Sequence, residues 1–289
     1  MAASIRELLQ EASTRLQMRS ASPAVDAHYL LMHVLKKERT WLRLHEEVRV
    51  SAAQHENFDA LLARRERGEP VAYLTGSRGF WTLDLAVNRH TLIPRPETEM
   101  LVEFALEKIP AGKARHVLDL GTGSGAIALA IKKERPECVV SAVDASRDAL
   151  AVAAGNAERL QLPVTFLHSD WFSALPGRRF DLLLANPPYI DADDAHLGQG
   201  DVRFEPLSAL VSAAHGLQDI TRIAADAPQH AGAGAWLAFE HGHDQGAAVR
   251  SILLQNGFSG IESRRDLGGH ERITFGCLLA AAGSESHAG

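Results

Sequence analysis

The chain has 289 residues, 46% hydrophobic and 23% charged, which is the balance of a globular protein and the length of two domains rather than one. This composition excludes a disordered, collagen-like or disulfide-scaffold chain, and two cysteines, Cys138 and Cys277, allow no cysteine-rich metal site. The net charge of −6 is uneven: residues 1–89 hold 13 Lys and Arg against 11 Asp and Glu (+2), residues 90–289 hold 17 against 25 (−8), and neither part has the basic excess of a protein that grips nucleic-acid phosphates.

No apolar run reaches about 18 residues, so no membrane-spanning helix is expected. Arg6, Glu7, Glu11, Arg15 and Arg19 break any signal-peptide stretch, and a cytoplasmic protein is expected. Three helices are read in the first seventy residues. Ser4-Ile5-Arg6-Glu7 is a capping box, followed by Ile5, Leu8, Leu9, Ala12 and Leu16 at helical spacing. Ser22-Pro23 starts a second helix, with Ala27, Leu30, Leu31, Val34 and Leu35 as its buried stripe. Ser51 to Gln54 opens a third, through Phe58, Leu61 and Leu62, closing near Gly68. No face of these helices gathers polar chemistry, so residues 1–72 are expected to form a small helical bundle domain.

Over residues 73–92 the period changes to two. Trp81, Leu83, Leu85 and Val87 alternate with Thr82, Asp84 and Ala86, bounded by Gly76 and Gly79, which reads as a connecting β-hairpin. From residue 93 to 280 strands alternate with helices. Apolar strands are expected at His116–Leu120, Cys138–Val143, Val164–Leu167, Phe180–Ala185, Ala235–Phe239 and Arg272–Phe275, with helices such as Ala149–Leu160 and Asp244–Gln255 between them. The alternation implies an α/β fold, a doubly wound, mostly parallel sheet covered on both faces. Residues 281–289 are small and polar and are expected to be a flexible tail.

The loop Asp119-Leu120-Gly121-Thr122-Gly123-Ser124-Gly125-Ala126 follows a strand and opens a helix, where backbone approaches a ligand closely. A phosphate-binding P-loop needs a lysine that is missing, whereas Gly121, Gly123 and Ala126 do fit a dinucleotide fingerprint. If Asp119 faces the ligand, a pyrophosphate about 5 Å away is repelled by roughly 3 kcal/mol per charge pair at an effective dielectric of ~20. The ammonium group of S-adenosylmethionine is attracted instead. Asp144 ends the next strand, placed to accept ribose hydroxyls or simply exposed there. Trp171, after Ser169-Asp170, either stacks on adenine or packs in the core. In order, Asp119–Gly125, Asp144 and Trp171 resemble the three cofactor stations of class I, Rossmann-like methyltransferases.

The sharpest motif is Asn186-Pro187-Pro188-Tyr189, directly after the strand Phe180–Ala185. A planar NH2 group is a poor nucleophile because its lone pair is delocalised. Two acceptors gripping its hydrogens hold it toward an electrophile. Asn186 offers a side-chain carbonyl, and Pro187 a main-chain carbonyl made rigid by consecutive prolines. Tyr189 offers an aromatic face. Asn-Pro as a mere turn is the plain alternative. No Ser/His/Asp triad is read, and His241 with His243 reads as structural rather than metal-binding.

More of the chain resembles one family, the bacterial release factor glutamine methyltransferases. The matching segments are Glu69–Gly76, Leu92-Ile93-Pro94-Arg95-Pro96-Glu97-Thr98-Glu99, Asp119–Gly125, Ser169–Phe172, Asn186–Ile190, Arg203-Phe204-Glu205-Pro206, and Asp266–Gly269 with Arg272, spanning roughly residues 5–280. The resemblance implies methylation, by S-adenosylmethionine, of the amide nitrogen (N5) of the glutamine in a Gly-Gly-Gln segment of class I peptide chain release factors. It implies that Gly121, Thr122, Gly123, Ser124, Gly125, Asp144, Trp171 and Asn186 surround the cofactor. It implies that Asn186, Pro187, Pro188 and Tyr189 surround the glutamine, with Asn186, Pro187 and Tyr189 catalytic and no metal. It further implies a monomer whose helical domain contacts the release factor, and no stable nucleic-acid or membrane binding. Arg95–Glu99 sits beside the active site in that family, though Thr98 and Glu99 also suit a helix start. Two positions depart from the pattern: Gln218 where Asp is usual, and His241 where an aliphatic residue is common. Three other readings stand beside it: an adenine or guanine amino-group methyltransferase of nucleic acid, a methyl-donor-binding interaction protein without catalysis, and an NAD enzyme.

Overall fold

Ser4 Oγ accepts from the Glu7 amide and the Glu7 carboxylate accepts from the Ser4 amide, and this closed box opens helix α1 (Ile5–Leu16) in the computed structural model, which describes residues 3–279. Pro23 starts α2 (Pro23–Leu35) through its fixed φ alone, since Ser22 makes no capping bond, and Lys36 ends it in the left-handed region. A second closed box, Ser51 with Gln54, opens α4 (Ala52–Glu66). Between and after these lie α3 (Arg39–Leu44) and α5 (Val71–Thr75), too short for periodicity to announce. Ile5, Leu8, Ala12, Leu16, Ala27, Leu30, Leu31, Leu42, Phe58 and Leu62 form one buried core, while Leu9, Val34, Leu35 and Leu61 pack at its edge.

By its contacts the chain divides into two units, one running up to Ser77 together with Ala195–Phe204, the other holding Arg78–Asp194 and the chain from Glu205. The late segment joins the helices through Arg65. That buried guanidinium donates to Asp26 and Asp201 at 2.7 Å each, and to the carbonyl of Glu69. Long-range pairing of this kind leaves no periodic trace in sequence.

The second unit begins with a hairpin of β1 (Ser77–Phe80) and β2 (Leu83–Ala86). Here the sequence reading needs correction. Gly79 lies inside β1, Gly76 ends α5 in the left-handed region, and Trp81 is not in a strand but at the turn with φ +55°. The Trp81 amide donates to Glu99 and its ring N–H to Glu134, bonds that hold the turn. Helix α6 (Glu99–Lys108) follows.

A seven-stranded sheet forms from β3 (His116–Leu120), β4 (Val139–Asp144), β5 (Thr165–His168), β6 (Phe180–Ala185), β7 (Ala231–Glu240), β8 (Phe258–Arg265) and β9 (Glu271–Leu278). Its order is β5-β4-β3-β6-β7-β9-β8, parallel except for β9, which runs antiparallel to both its neighbours. Six of these strands fall where the apolar runs predict. The seventh, β8, carries no apolar run, since only Phe258 and Ile261 of its eight residues are hydrophobic. Helices α7 (Ala126–Glu134), α8 (Arg147–Leu160), α10 (Gln218–His230) and α11 (Gly246–Gln255) complete the layers, with a left-handed turn, α9 (Ala213–Gly216), before α10. Leu118, Leu120, Leu183, Leu237 and Phe239 pack with Ile220, Ile223, Val249 and Leu253 on one face. Val117, Val140, Leu182, Leu184 and Ala238 pack with Leu101, Phe104, Ile127 and Ile131 on the other. Both faces being covered explains the unbroken apolar strands. The fold is that of a class I methyltransferase with an N-terminal helical unit.

Candidate active site

Strand register assembles the site. Leu120 of β3 pairs with Val143 of β4 on one side and Ala185 of β6 on the other. The next residues, Gly121, Asp144 and Asn186, therefore leave the sheet side by side at its carboxyl edge. Asp144 in turn pairs with His168, which brings Ser169–Trp171 alongside. This is the switch point of the sheet, where neighbouring connections run to opposite faces and leave a crevice. A cavity of about 360 Å³ opens there, lined among others by Gly121, Thr122, Gly123, Ser124, Asp144, Trp171, Asn186 and Pro188. Three of the expected site residues do not line it: Gly125, Pro187 and Tyr189.

Gly121, Gly123 and Gly125 have φ of +74°, +56° and +86°, which accounts for three glycines in five residues. A Cβ on Gly125 would also lie 3.0 Å from Leu129 and 3.3 Å from Ala153, so this glycine serves helix packing rather than the ligand. Four of the loop amides are already spent. Gly121 and Thr122 donate to the Val143 carbonyl, Gly123 to Asp144 and Gly125 to Thr122. A loop that spends four amides internally, against a carboxylate, is poorly built for a pyrophosphate and counts against the dinucleotide reading. Asp119 does not line the cavity either. Its Oδ2 accepts from Thr122 Oγ1 at 2.6 Å and the Ala128 amide at 3.2 Å, pinning the loop to α7, while Oδ1 has no partner.

Asp144 accepts from the Gly123 amide at 2.9 Å and the Ser146 amide at 2.8 Å, and its remaining lone pairs suit a ribose diol at the cavity wall. Trp171, with φ +48°, lays its ring edge over Gly121, where an added Cβ would stand 3.4 Å away. Its ring N–H donates to Asp219, which also accepts from Ser212 Oγ at 2.7 Å. An indole fixed at one end and bare on the cavity side suits a purine. These residues fit S-adenosylmethionine. Asp144→Ala is expected to weaken its binding roughly 10- to 100-fold, the worth of hydrogen bonds to a charged acceptor, with kcat at saturation little changed. Calorimetric titration beside saturation kinetics checks this.

Asn186 donates its Nδ2 to Thr98 Oγ1 at 3.1 Å, and Thr98 is itself buried on the cavity wall. Pro187 is buried behind it. The Tyr189 hydroxyl donates to Glu240 Oε1 at 3.3 Å, and burial raises its pKa. Glu240, at the end of β7, is buried with Oε2 unpartnered, and the Thr98 and Tyr189 hydroxyls both stabilise its charge.

Burial raises Asp119 from 3.8 and Glu240 from 4.5, each to about 7, with their hydroxyl partners opposing the shift only in part. Since the folded values lie above the unfolded ones, the folded state binds more protons between pH 4 and 7. Stability from these groups is present in acid and lost as pH rises through about 7. The carboxylates of Glu66, Glu107 and Glu271, lowered by arginine partners, act oppositely below their usual range. Urea unfolding at pH 5.5 and pH 8 is expected to show less decline for Asp119→Asn or Glu240→Gln than for the unsubstituted protein.

Three positioning groups, Asn156, Asp219 and Glu205, have no role assigned from the sequence. Thr98 was left between two roles and stands in the site. Asn156 of α8, fully buried, bonds both backbone groups of Ala86 and the Ser124 carbonyl, tying the hairpin to the glycine loop. Asp219 holds Trp171. Glu205 pairs with Arg95 and accepts from the Ile93 amide at 3.0 Å, holding the segment whose Leu92 and Pro94 line the cavity. An interior Asn and a Gln-Asp pair have no periodic signature. Of the departing positions, His241 is buried and satisfied by Thr274 Oγ1 at 2.7 Å and the Gly242 carbonyl at 2.8 Å, and Gln218 merely begins α10.

Known proteins resemble this chain over most of its length. Residues 7–76 match the family described as PrmC N-terminal domain, and residues 97–201 the family described as Methyltransferase small domain. The release factor glutamine methyltransferase of Pseudomonas aeruginosa PAO1 is 54% identical over 89% of this chain and 93% of its own. That of Escherichia coli K12 is 49% identical over 93% and 96%. A methyltransferase structure from Pyrococcus furiosus superposes with a TM-score of 0.54 at 16% identity, over 78% of this chain and 100% of that one, a likeness of fold.

Proposed function

Because this chain belongs to the release factor glutamine methyltransferase family, we propose that it transfers a methyl group from S-adenosylmethionine to the side-chain amide nitrogen (N5) of the glutamine in the Gly-Gly-Gln segment of class I peptide chain release factors. The observation that carries this is Asn186 at the end of β6, on the wall of a cavity shared with Asp144 and Trp171, with its Nδ2 already bonded to Thr98. Its Oδ1 is thereby left for a substrate.

When bound, S-adenosylmethionine supplies an electrophilic methyl group on a positively charged sulfur. The residues of the chain do the rest. Asn186 Oδ1 and the Pro187 carbonyl accept the two hydrogens of the glutamine NH2, turning its lone pair toward the cavity. Pro187 has no N–H to compete, and the neighbouring proline restricts its carbonyl. Such positioning lowers a barrier by up to ~7–11 kcal/mol. Pro188, Leu92 and Pro94 line the cavity with apolar surface that excludes water, which favours a transition state in which charge is dispersed. Tyr189 lies behind the loop and braces it through Glu240.

The reading further has the protein act as a monomer in the cytoplasm without stable nucleic-acid binding, its helical unit contacting the release factor. The acidic excess of residues 90–289 supports the absence of nucleic acid. The test is transfer of a radiolabelled methyl group to purified release factor beside a Gln→Ala variant of its Gly-Gly-Gln segment. Label on the first and not the second is expected. Silence on both, with labelling of DNA or RNA, overturns the reading in favour of a base methyltransferase.

A further inference from the structure

We propose that Gln245 is a positioning residue for methyl transfer: its carboxamide pins the far end of the Asn186–Tyr189 loop and so fixes where the Pro187 carbonyl meets the acceptor NH2. The inference deepens the reading above and rests on it.

The loop is a short span pinned at its ends. Its near end leaves β6 at Asn186, whose Nδ2 donates to Thr98 Oγ1 at 3.1 Å. Pro187 and Pro188 have no N–H, so neither can tie the span down by donating. Their rings fix φ at both positions, and Pro188 restricts the residue before it further. So stiff a pair moves as one body with whatever holds its ends. The far end is Tyr189, and its carbonyl accepts from Gln245 Nε2 at 3.0 Å.

That carboxamide uses every group it has. Nε2 also donates to the His215 carbonyl at 3.0 Å, and Oε1 accepts from the Gly242 amide at 2.8 Å. Two hydrogens and one oxygen thus meet two carbonyls and one N–H. Turned over, the oxygen would face both carbonyls, so one orientation alone satisfies the set. Gln245 in this way joins three segments: the substrate loop, the turn α9, and the connection from β7 to α11.

The packing around it is a second observation. An added Cβ would stand 2.7 Å from Nε2 at Gly216 and 3.0 Å from Oε1 at Gly242, so a glycine lies against each end of the carboxamide. Ala214 and His215 have φ of +54° and +55°, a conformation that persists in non-glycine residues only where the surroundings hold it. The bond to the His215 carbonyl holds that turn, and Gly216 of the same turn packs against the Tyr189 carbonyl. Gln245 does not line the cavity and acts on it through Tyr189.

The test compares Gln245→Met, which keeps the length and removes the hydrogen bonds, with Gln245→Glu, which keeps the shape but at pH 8 turns a carboxylate toward two carbonyls. With release factor as acceptor and both substrates saturating, Gln245→Met is expected to lower kcat about 10-fold. This is less than the ~10²-fold worth of a 1 Å misplacement, because Ile190 stays bonded to Leu210 and Ser212. Gln245→Glu is expected to lose at least as much. Affinity for S-adenosylmethionine, which rests on Asp144 and Trp171, is expected to stay within about threefold in both. A kcat within about twofold of the unsubstituted protein in both variants, whatever their unfolding temperatures, overturns the proposal. So does a loss of cofactor affinity as large as the loss of kcat, which marks a general loosening. If the unsubstituted protein labels no release factor, the functional reading fails separately, and the pinning is still read by NMR. Protein carrying tyrosine labelled with 13C at the carbonyl has three such sites, Tyr29, Tyr73 and Tyr189. The Tyr189 signal, assigned by its loss in Tyr189→Phe, is expected to move in Gln245→Met while the other two stay. A Tyr189 signal that stays in place overturns the proposal.

Discussion

Asn186→Ala is expected to lower kcat by about 10³-fold while leaving S-adenosylmethionine affinity within a few-fold. Removing one preorganised group aimed at the reacting atom costs about 10²–10³ in other enzymes, and Asn186 sits at the upper end because its partner acceptor cannot take over. The Pro187 carbonyl can hold one hydrogen of an NH2 group but not both, so the amide is left free to rotate about that single bond and its lone pair loses its aim. Cofactor binding is spared because Asp144, Trp171 and the glycine loop are held by Gly123, Ser146, Asp219 and Val143, none of which depends on Asn186. Equilibrium binding of the cofactor, set beside single-turnover methylation, reads the two effects apart. Loss of binding with an intact rate of transfer would assign Asn186 to the cofactor alone.

The sequence carried the parts of the site that one strand end suffices to place. Gly121–Ser124, Asp144, Trp171 and Asn186 were legible because each directly follows an apolar run, and a parallel sheet converts that position into proximity. The helical unit was legible through its two capping boxes and the stripe from Ile5 to Leu16. What stayed hidden is what depends on two distant segments meeting. Asp119 looked like a ligand contact and is a loop anchor, because a residue one step short of the strand end points inward. Thr98 and Asn186 are 88 positions apart, and neither alone says that the Asn186 amide donates to a buried hydroxyl. The edge strand β8 was missed for a different reason: only Phe258 and Ile261 of its eight residues are apolar, too few to make a run.

Gly216→Ala is expected to destabilise the protein by about 2–5 kcal/mol and to lower turnover by about 10²-fold, though Gly216 does not line the site cavity. Its φ is +78°, which costs an alanine about 1–2 kcal/mol. The added Cβ would stand 2.0 Å from the carbonyl oxygen of Tyr189 and 2.6 Å from its carbon, and these are backbone atoms with no rotamer to retreat into. Overpacking of this kind costs a further 1–3 kcal/mol. Nor can the strain pass harmlessly outward. The Tyr189 carbonyl also accepts from Gln245 Nε2 at 3.0 Å, and Ile190 is bonded through both backbone groups to Leu210 and Ser212. The softest direction left is along the chain into Pro188, Pro187 and Asn186, and a displacement of about 1 Å at a reacting centre is worth about 10²-fold in rate. Urea unfolding measures the first effect and kcat at saturating cofactor the second. A variant that unfolds more readily yet turns over normally would show that the loop yields elsewhere, and that consecutive prolines, not the packing behind them, hold the acceptor in place.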